Sequence, residues 1–176
     1  MDDLGTVSWP PTPITTDRLV LRGAEARDRP AFVDLYSLPE VNTYLGGARP
    51  REDVERQIPE VPGKSMGAFV VERDGEMIGQ VLLRRHPGDA RPSAAGRADL
   101  GYVFLPRGWG AGYAFEACAV ALTWFDGVLP GEPVVLTTQS ANIPSMRLAE
   151  KLGFTEVERF EAWGAEQWFG MRAPAA

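Results

Sequence analysis

Apolar residues along the chain follow two spacings, one typical of strands and one typical of helices. Short apolar runs predict seven strands, at 19–21, 68–71, 77–83, 100–105, 134–138, 154–163 and 166–172. Apolar residues that recur three or four positions apart predict helices at 25–37, 39–45, 51–58, 112–126 and 142–153. This order, which contains no internal repeat, predicts an α/β domain with a mixed central sheet of about seven strands and helices on both faces.

Turn-forming residues set the expected limits of these elements. Asp74 and Gly75 separate two apolar runs, and this pair favours a tight hairpin turn because both residues accept positive φ. The stretch around Pro10–Pro13 has no periodicity, so residues 1–13 are predicted to form an extended N-terminal arm. A single domain at 14–172 and a short tail at 173–176 account for the rest of the chain.

Composition excludes several classes of protein. The chain has 176 residues, a formal net charge of −6 and one cysteine. An acidic chain lacks the basic face that nucleic-acid phosphates require, so we expect no nucleic-acid partner. No apolar run approaches the roughly 18 residues of a membrane span, so no membrane partner is expected either. A lone cysteine forms no intramolecular disulfide, which favours a cytoplasmic location.

The chain contains a single histidine, His86, which limits the available chemistry. Metal sites built from several histidines cannot form, and we predict no metal. Any nucleophile activated by histidine would depend on His86, which we expect to be exposed in the loop at 84–97, together with the arginines there. Cys118 lies on the apolar side of the predicted helix at 112–126, so it is interpreted as a core residue.

The most informative segment is a run of alternating glycines between a predicted strand and a predicted helix. Gly108, Gly110 and Gly112 leave backbone N–H groups uncovered next to the positive end of the helix dipole. Such a segment binds a phosphate or diphosphate. It is not a dinucleotide fingerprint, because Phe115 occupies the position of the last glycine. A purely structural turn is the alternative.

These residues also resemble a known family. The run from Arg107 to Gly112 is similar to the R/Q-x-x-G-x-G/A signature of GNAT acetyltransferases. Three further segments, Thr16–Arg22, Pro39–Val41 and Asn142–Phe154, resemble the Rim-type branch, which acetylates the N-termini of ribosomal proteins. Together the similar segments span residues 14–172 in the expected order.

The resemblance implies a GNAT-like domain that uses acetyl-CoA as co-substrate. It implies that one strand pairs with the pantetheine arm, that loop amides hold the pyrophosphate, and that a late helix contributes an amide and a hydroxyl side chain. The cofactor-binding residues that it implies are Val103, Phe104, Leu105, Arg107, Gly108, Trp109, Gly110, Ala111, Gly112, Tyr113, Asn142 and Ser145. Helix capping is the alternative role for Asn142, and a first-turn hydroxyl for Ser145.

Family chemistry implies direct attack of a neutral amine on the thioester carbonyl. Ser145 is the candidate acid for the leaving thiolate, and Asp99 is the candidate base, acting directly or through water. A purely structural carboxylate is the alternative for Asp99. Three glutamates of the last predicted hairpin are rivals for recognition of the amine: Glu158, Glu161 and Glu166.

The acceptor is the least determined part of the prediction. An α-amine is about 3.5 kcal/mol easier to deprotonate than a lysine side chain. Because no strong base is evident, we expect a protein or peptide N-terminus. The alternatives are a small-molecule amine (aminoglycoside, polyamine, amino acid or amino sugar) and a non-catalytic acyl-CoA-binding sensor. A homodimer is left open.

Overall fold

The computed structural model describes residues 4–175, which form one open sheet of eight strands. In chain order these are β1 Ile14–Thr15, β2 Val20–Arg22, β3 Ala68–Arg73, β4 Glu76–Arg85, β5 Ala98–Phe104, β6 Val134–Gln139, β7 Thr155–Ala162 and β8 Ala165–Arg172. They lie side by side in the order β1-β2-β3-β4-β5-β6-β8-β7. Only β5 and β6 are parallel among these neighbours, so the sheet of the described residues is mixed, as predicted.

Helices cover both faces of the sheet, which confirms the predicted layers. They are α1 Arg29–Ser37, α2 Arg51–Gln57, α3 Tyr113–Val128 and α4 Ile143–Lys151. On one face, which we call the α1/α2 face, α1 packs Phe32 against Val70 of β3, and α2 packs against α1. On the other, the α3/α4 face, the larger core joins Phe125 of α3 and Ala149 of α4 to the sheet.

The two hairpins turn at residues with positive φ. Asp74 and Gly75 have φ values of 51° and 83°, which confirms the turn predicted between β3 and β4. Trp163 and Gly164 make the same kind of turn between β7 and β8, with φ values of 53° and 77°.

One predicted helix is wrong, and one of the eight strands leaves no signal in the apolar pattern. The sheet has eight strands rather than about seven, because β1 pairs with β2 through only two residues, too few to produce a recognisable apolar run. Residues 39–45 form turns instead of a helix. The Asn42 side chain donates to the carbonyls of Leu35 and Leu38, at 2.8 and 2.9 Å, and so caps the end of α1 while the chain reverses.

The N-terminal segment lies against the domain from residue 4 onwards. Leu4 is buried in the core of the α3/α4 face, and the Trp9 ring contacts Phe69 and Trp124 edge-on at 4.9 and 5.9 Å. Residues 1–3 of the predicted arm, and Ala176 of the tail, lie outside the described residues. Across 4–175, no helix combines the length and apolarity that a bilayer crossing requires.

Candidate functional site

A glycine loop connects β5 to α3. After Pro106–Gly108, a single 3₁₀ turn, the chain passes through Gly110 and Gly112, whose φ values are 77° and 79°. The exposed backbone from Gly110 to Gly112 leads into Tyr113, the first residue of α3. Within residues 4–175, the N–H groups from Gly110 through Tyr113 have no hydrogen-bond acceptor. Four consecutive donors therefore stand next to the positive end of a 16-residue helix.

The earlier residues of this loop use their donors internally, contrary to the expectation for them. The amide of Gly108 donates to the Leu105 carbonyl at 2.8 Å, and the amide of Trp109 donates to that of Pro106 at 3.1 Å. The guanidinium of Arg107 donates to the Met77 carbonyl. These amides close the 3₁₀ turn that Pro106 begins, so they shape the loop and are not available to a ligand.

Beyond the loop, β5 and β6 separate. They pair only through Ala98 with Val134 and Asp99 with Val135, and within the described residues no pair follows although both strands continue. A cleft therefore opens between them towards their carboxyl ends, where parallel strands of α/β sheets commonly bind ligands.

All three residues expected to pair with a pantetheine arm have backbone groups that already have other partners. The Phe104 carbonyl accepts from the Trp109 indole N–H at 2.9 Å, and the Leu105 amide donates to the Ile78 carbonyl at 2.9 Å. Val103 lies opposite Gln80 of β4 in the same alternation as Leu105 opposite Ile78, so its backbone N–H and C=O also face β4, and the cleft edge of β5 is formed by Tyr102 and the Phe104 amide. The free length of that edge is therefore shorter than the sequence predicts.

The start of α4 lies beside this cleft. Asn142 is its N-cap, and its Oδ1 accepts from the Ser145 amide at 3.3 Å, so the capping alternative is confirmed for Asn142. Ser145 is buried, and its Oγ is hydrogen-bonded to the phenol of Tyr102 in β5. Burial raises the pKa of Tyr102 well above its usual range, although the hydrogen bond from Ser145 opposes this. The phenol is therefore protonated at neutral pH.

Tyr102 was missed in the sequence analysis. It lies on the same face of β5 as Leu100 and Phe104, which are both buried, so the sequence pattern predicts a core residue of an apolar strand. The signal that points to a role is its polar tip in a strand beside the glycine loop, because a buried phenol usually needs a partner. Ser145 is that partner.

Asp99 lies at the closed end of the cleft. Its side chain is 12% exposed and stands 3.8 Å from the Arg84 guanidinium. Burial raises the pKa of Asp99 to about 7, and Arg84 only partly opposes this. Because side chains alternate along a strand, Asp99 points to the α1/α2 face, whereas Tyr102 points to the α3/α4 face. Ser145 is thus brought together with Tyr102 and not with Asp99.

The α1/α2 face carries further polar groups near the cleft. Thr137, two residues beyond the partner of Asp99 in β6, has a buried hydroxyl without a hydrogen-bond partner in the described residues. Gln139, at the end of β6, donates to the Tyr44 carbonyl at 3.3 Å. The hydrogen bond from Gln139 joins β6 to the segment between α1 and α2.

Of the three hairpin glutamates, two are already engaged. Glu158 forms an ion pair with Arg91, and Glu166 accepts from Ser140 at 2.6 Å and pairs with Arg159 at 3.4 Å. Arg91 is mostly buried against Phe169, contrary to the solvated surface expected of the loop arginines. The negative charges of Glu158 and Glu166 are therefore largely neutralised before any ligand binds.

His86 is buried, so the expectation of an exposed loop histidine is wrong. The loop at 86–97 folds back, because the His86 amide donates to the Arg97 carbonyl at 2.8 Å and the Gly96 amide donates to that of His86 at 2.9 Å. Burial lowers the pKa of His86, and its Nδ1 accepts from the Gly88 amide. Cys118 is fully buried, which confirms its place in the core. No metal-binding cluster occurs in the described part of the chain.

Comparisons with known proteins show the family to which the chain belongs. The family model described as "Acetyltransferase (GNAT) domain" matches residues 18–155. The Bacillus subtilis protein called "Uncharacterized N-acetyltransferase YnaD" is 29% identical over 143 residues, which cover 80% of this chain and 81% of that protein. A family match over most of the chain establishes membership.

Solved structures share the fold at low sequence identity. A GNAT-family acetyltransferase from Bacillus anthracis superposes with a TM-score of 0.74 at 22% identity, covering 92% of this chain and 98% of the other. A Salmonella typhimurium acetyltransferase, titled as modifying the N-terminal serine of ribosomal protein L7/L12, gives 0.68 at 16% identity, covering 93% and 100%. A Vibrio cholerae spermidine N-acetyltransferase in complex with CoA and spermine gives 0.69 at 19% identity, covering 90% and 97%. The chain belongs to the GNAT family and is an acetyl-CoA-dependent N-acetyltransferase.

Proposed function

We propose that the protein transfers acetyl from acetyl-CoA to a primary amine of low pKa, the α-amine at a peptide N-terminus, within a catalytic domain at 14–172. The observation that carries this proposal is the buried Asp99, whose pKa of about 7 suits a general base at neutral pH.

The cofactor half of the proposal rests on the free amides. The N–H groups of Gly110, Ala111, Gly112 and Tyr113 hold the diphosphate, reinforced by the α3 dipole. Tyr102, whose backbone N–H and C=O face away from β4, offers the cleft edge of β5 to the pantetheine arm. The Asn142 side chain still has its Nδ2 donors for the arm, because only Oδ1 is used in capping.

The reaction takes place in the cleft, with base and acid on opposite faces. The amine nitrogen bonds to the thioester carbonyl carbon from the α1/α2 face and gives its proton to Asp99. The carbon–sulfur bond then breaks, and the thiolate takes a proton from Ser145, whose Oγ is reprotonated by the Tyr102 phenol to which it is hydrogen-bonded. Asp99 then loses its proton to solvent and Tyr102 regains one from solvent, so the protons balance. Since the reaction needs proton transfer on both sides of one carbonyl, the separation of Asp99 from Ser145 suits it.

The pKa of the acceptor amine sets the cost of forming the neutral nucleophile, and this cost differs between acceptors. A carboxylate with a pKa near 7 takes a proton from an α-ammonium of pKa about 7.8 at a cost of about 1 kcal/mol. From an alkyl ammonium of pKa about 10.4, the cost is about 4.6 kcal/mol. The difference of three to four kcal/mol corresponds to roughly 400-fold in rate, so an α-amine is the favoured acceptor class.

The charges on the acceptor side do not favour a polyamine. A polycation needs several free carboxylates, yet Glu158 and Glu166 are paired with Arg91 and Arg159. The titles of the Salmonella and Vibrio neighbours name a protein N-terminus and spermidine respectively, and at 16% and 19% identity neither decides the acceptor. A small-molecule amine of equally low pKa satisfies the same base and is the alternative that experiment must separate.

The test measures thiol release from acetyl-CoA with matched acceptors. One peptide carries a free N-terminus and no lysine, a second has the same sequence with a blocked N-terminus and one lysine, and spermidine and glucosamine complete the panel. We expect kcat/KM to be highest for the free N-terminus. Higher kcat/KM for spermidine or glucosamine would overturn the proposed acceptor. Tight acetyl-CoA binding without turnover on any amine would instead favour the sensor.

A further inference from the structure

The turn between β1 and β2 lies directly against the glycine loop. Arg18, in this turn, donates from Nη1 to the Ala111 carbonyl at 2.8 Å and from Nε to the Glu116 carboxylate at 2.9 Å. Its guanidinium also lies over the Tyr113 ring, 4.4 Å from the centroid. Arg18 thus contacts the loop, the first residue of α3 and the first turn of that helix.

The guanidinium is held in this position from behind. Glu116 accepts from the Thr16 hydroxyl at 2.7 Å through the oxygen that Arg18 does not use, and Thr16 Oγ1 in turn accepts from the Leu19 amide at 2.9 Å. The side chain of Arg18 is nevertheless 42% exposed. An exposed ion pair of this kind contributes little to folding stability, so these contacts need another explanation.

The bond to Ala111 fixes the direction of a neighbouring donor. The Ala111 carbonyl and the Gly112 N–H belong to one planar trans peptide, and they point in opposite directions. By binding the carbonyl, Arg18 turns the Gly112 N–H away from the β1–β2 turn. Gly112, which follows this peptide and has a φ of 79°, lacks the side chain that would restrict its rotation when nothing holds it.

We infer that Arg18 is a positioning residue for the cofactor: through the Ala111 carbonyl it aims the Gly112 N–H at the diphosphate of acetyl-CoA. This inference rests on the proposed diphosphate site at Gly110–Tyr113. A polarised carbonyl also strengthens the donor at the other end of the same peptide, so one bond both orients and activates that N–H.

The test compares two thioesters and three variants. S-acetylpantetheine has the thioester and the pantetheine arm but lacks the diphosphate and the nucleoside beyond it, so its binding does not depend on the contact in question. Arg18→Gln removes the bond to Ala111. Arg73→Gln is the matched control, because Arg73 also lies over the Tyr113 ring, at 4.9 Å, and loses the same charge without a bond to the loop carbonyl.

We expect Arg18→Gln to weaken acetyl-CoA binding by about tenfold, the effect of losing one charge-assisted hydrogen bond, with KM for S-acetylpantetheine unchanged. Arg18→Lys, which keeps one donor, should restore part of the affinity. The inference is wrong if Arg18→Gln and Arg73→Gln affect acetyl-CoA equally, or if Arg18→Gln weakens both thioesters alike. If the wild type binds the two thioesters with equal affinity, the diphosphate site itself is wrong, and the role of Arg18 with it.

Discussion

On the α3/α4 side of the cleft, the proposed cofactor contacts are backbone amides from four consecutive residues, whereas on the α1/α2 side the polar groups are side chains from separate strands. The amides of Gly110–Tyr113 are oriented by local conformation and by one helix. Asp99 and Thr137 lie on the same face of neighbouring strands because β5 and β6 pair at their amino ends. A ligand common to many enzymes suits the first kind of site, and an acceptor particular to one enzyme suits the second.

The largest expected effect on acetyl-CoA binding comes from a negative charge placed in the glycine loop. Gly110→Asp should weaken acetyl-CoA binding by about a thousandfold, because a carboxylate about 4 Å from a phosphate costs about 4 kcal/mol near a protein surface. Gly110→Asn is the control: it has the same shape without the charge, and a side chain at this position meets no heavy atom within 4 Å. Calorimetry measures both. Equal losses in the two variants would point to backbone strain instead.

On the acceptor side of the cleft, Asp99→Asn removes the proposed general base. We expect kcat/KM to fall by about a thousandfold at pH 8, with the Kd of acetyl-CoA little changed, because general-base catalysis contributes roughly 10² to 10⁴. In the wild type kcat/KM should rise as the pH rises through about 7, since Asp99 must be ionised to accept a proton. The variant should lack this rise and keep only the one near pH 7.8 that comes from deprotonation of the acceptor amine itself. A pH profile that is the same in both proteins would remove Asp99 from the reaction.

The same substitution is expected to change how the folding stability depends on pH. Burial raises the pKa of Asp99 from 3.8 to about 7, so the fold favours the protonated form. The wild type therefore loses stability as the pH rises from the unfolded-state pKa through the folded-state pKa, and Asp99→Asn does not. We expect the stability of the variant relative to the wild type to increase by about 3 kcal/mol between pH 4 and pH 7. Urea unfolding at the two pH values measures this, and a constant difference would contradict the raised pKa.

A smaller effect on kcat is expected from substitutions of Ser145 and Tyr102, on the α3/α4 face. Ser145→Ala should lower kcat by about a hundredfold and Tyr102→Phe by about tenfold, because the first removes the acid and the second only its partner. Neither should change the Kd of acetyl-CoA by more than about twofold. Single-turnover kinetics with calorimetry separates the two quantities. If Tyr102→Phe costs as much as Ser145→Ala, the phenol rather than the serine is the proton donor.

Local signals in the sequence predict the fold well where elements are long or where a turn needs positive φ. The hairpin at Asp74 and Gly75, the helices α3 and α4 and the mixed sheet all follow from spacing and turn residues. The strand β1 does not, because two residues show no alternation. The turns at 39–45 do not either, because they depend on where the Asn42 side chain finds acceptors.

The candidate site follows the same division. The spacing of the glycines predicts the loop. It does not predict that the Gly108 and Trp109 amides form internal hydrogen bonds, because these depend on how the 3₁₀ turn closes. The contact of Tyr102 with Ser145 and the burial of His86 both depend on long-range packing. Spacing therefore predicts which donors a loop contains, and only the folded chain decides which donors remain free.

The central claim, that the free amides of Gly110–Tyr113 hold the diphosphate, is tested most directly by nuclear magnetic resonance of the ¹⁵N-labelled protein during titration with acetyl-CoA and with S-acetylpantetheine. We predict that these four amide signals move with acetyl-CoA and hardly at all with S-acetylpantetheine, while the turn amides of Gly108 and Trp109 move less with either. Saturation of the protein with acetyl-CoA while the four signals stay in place would contradict the account.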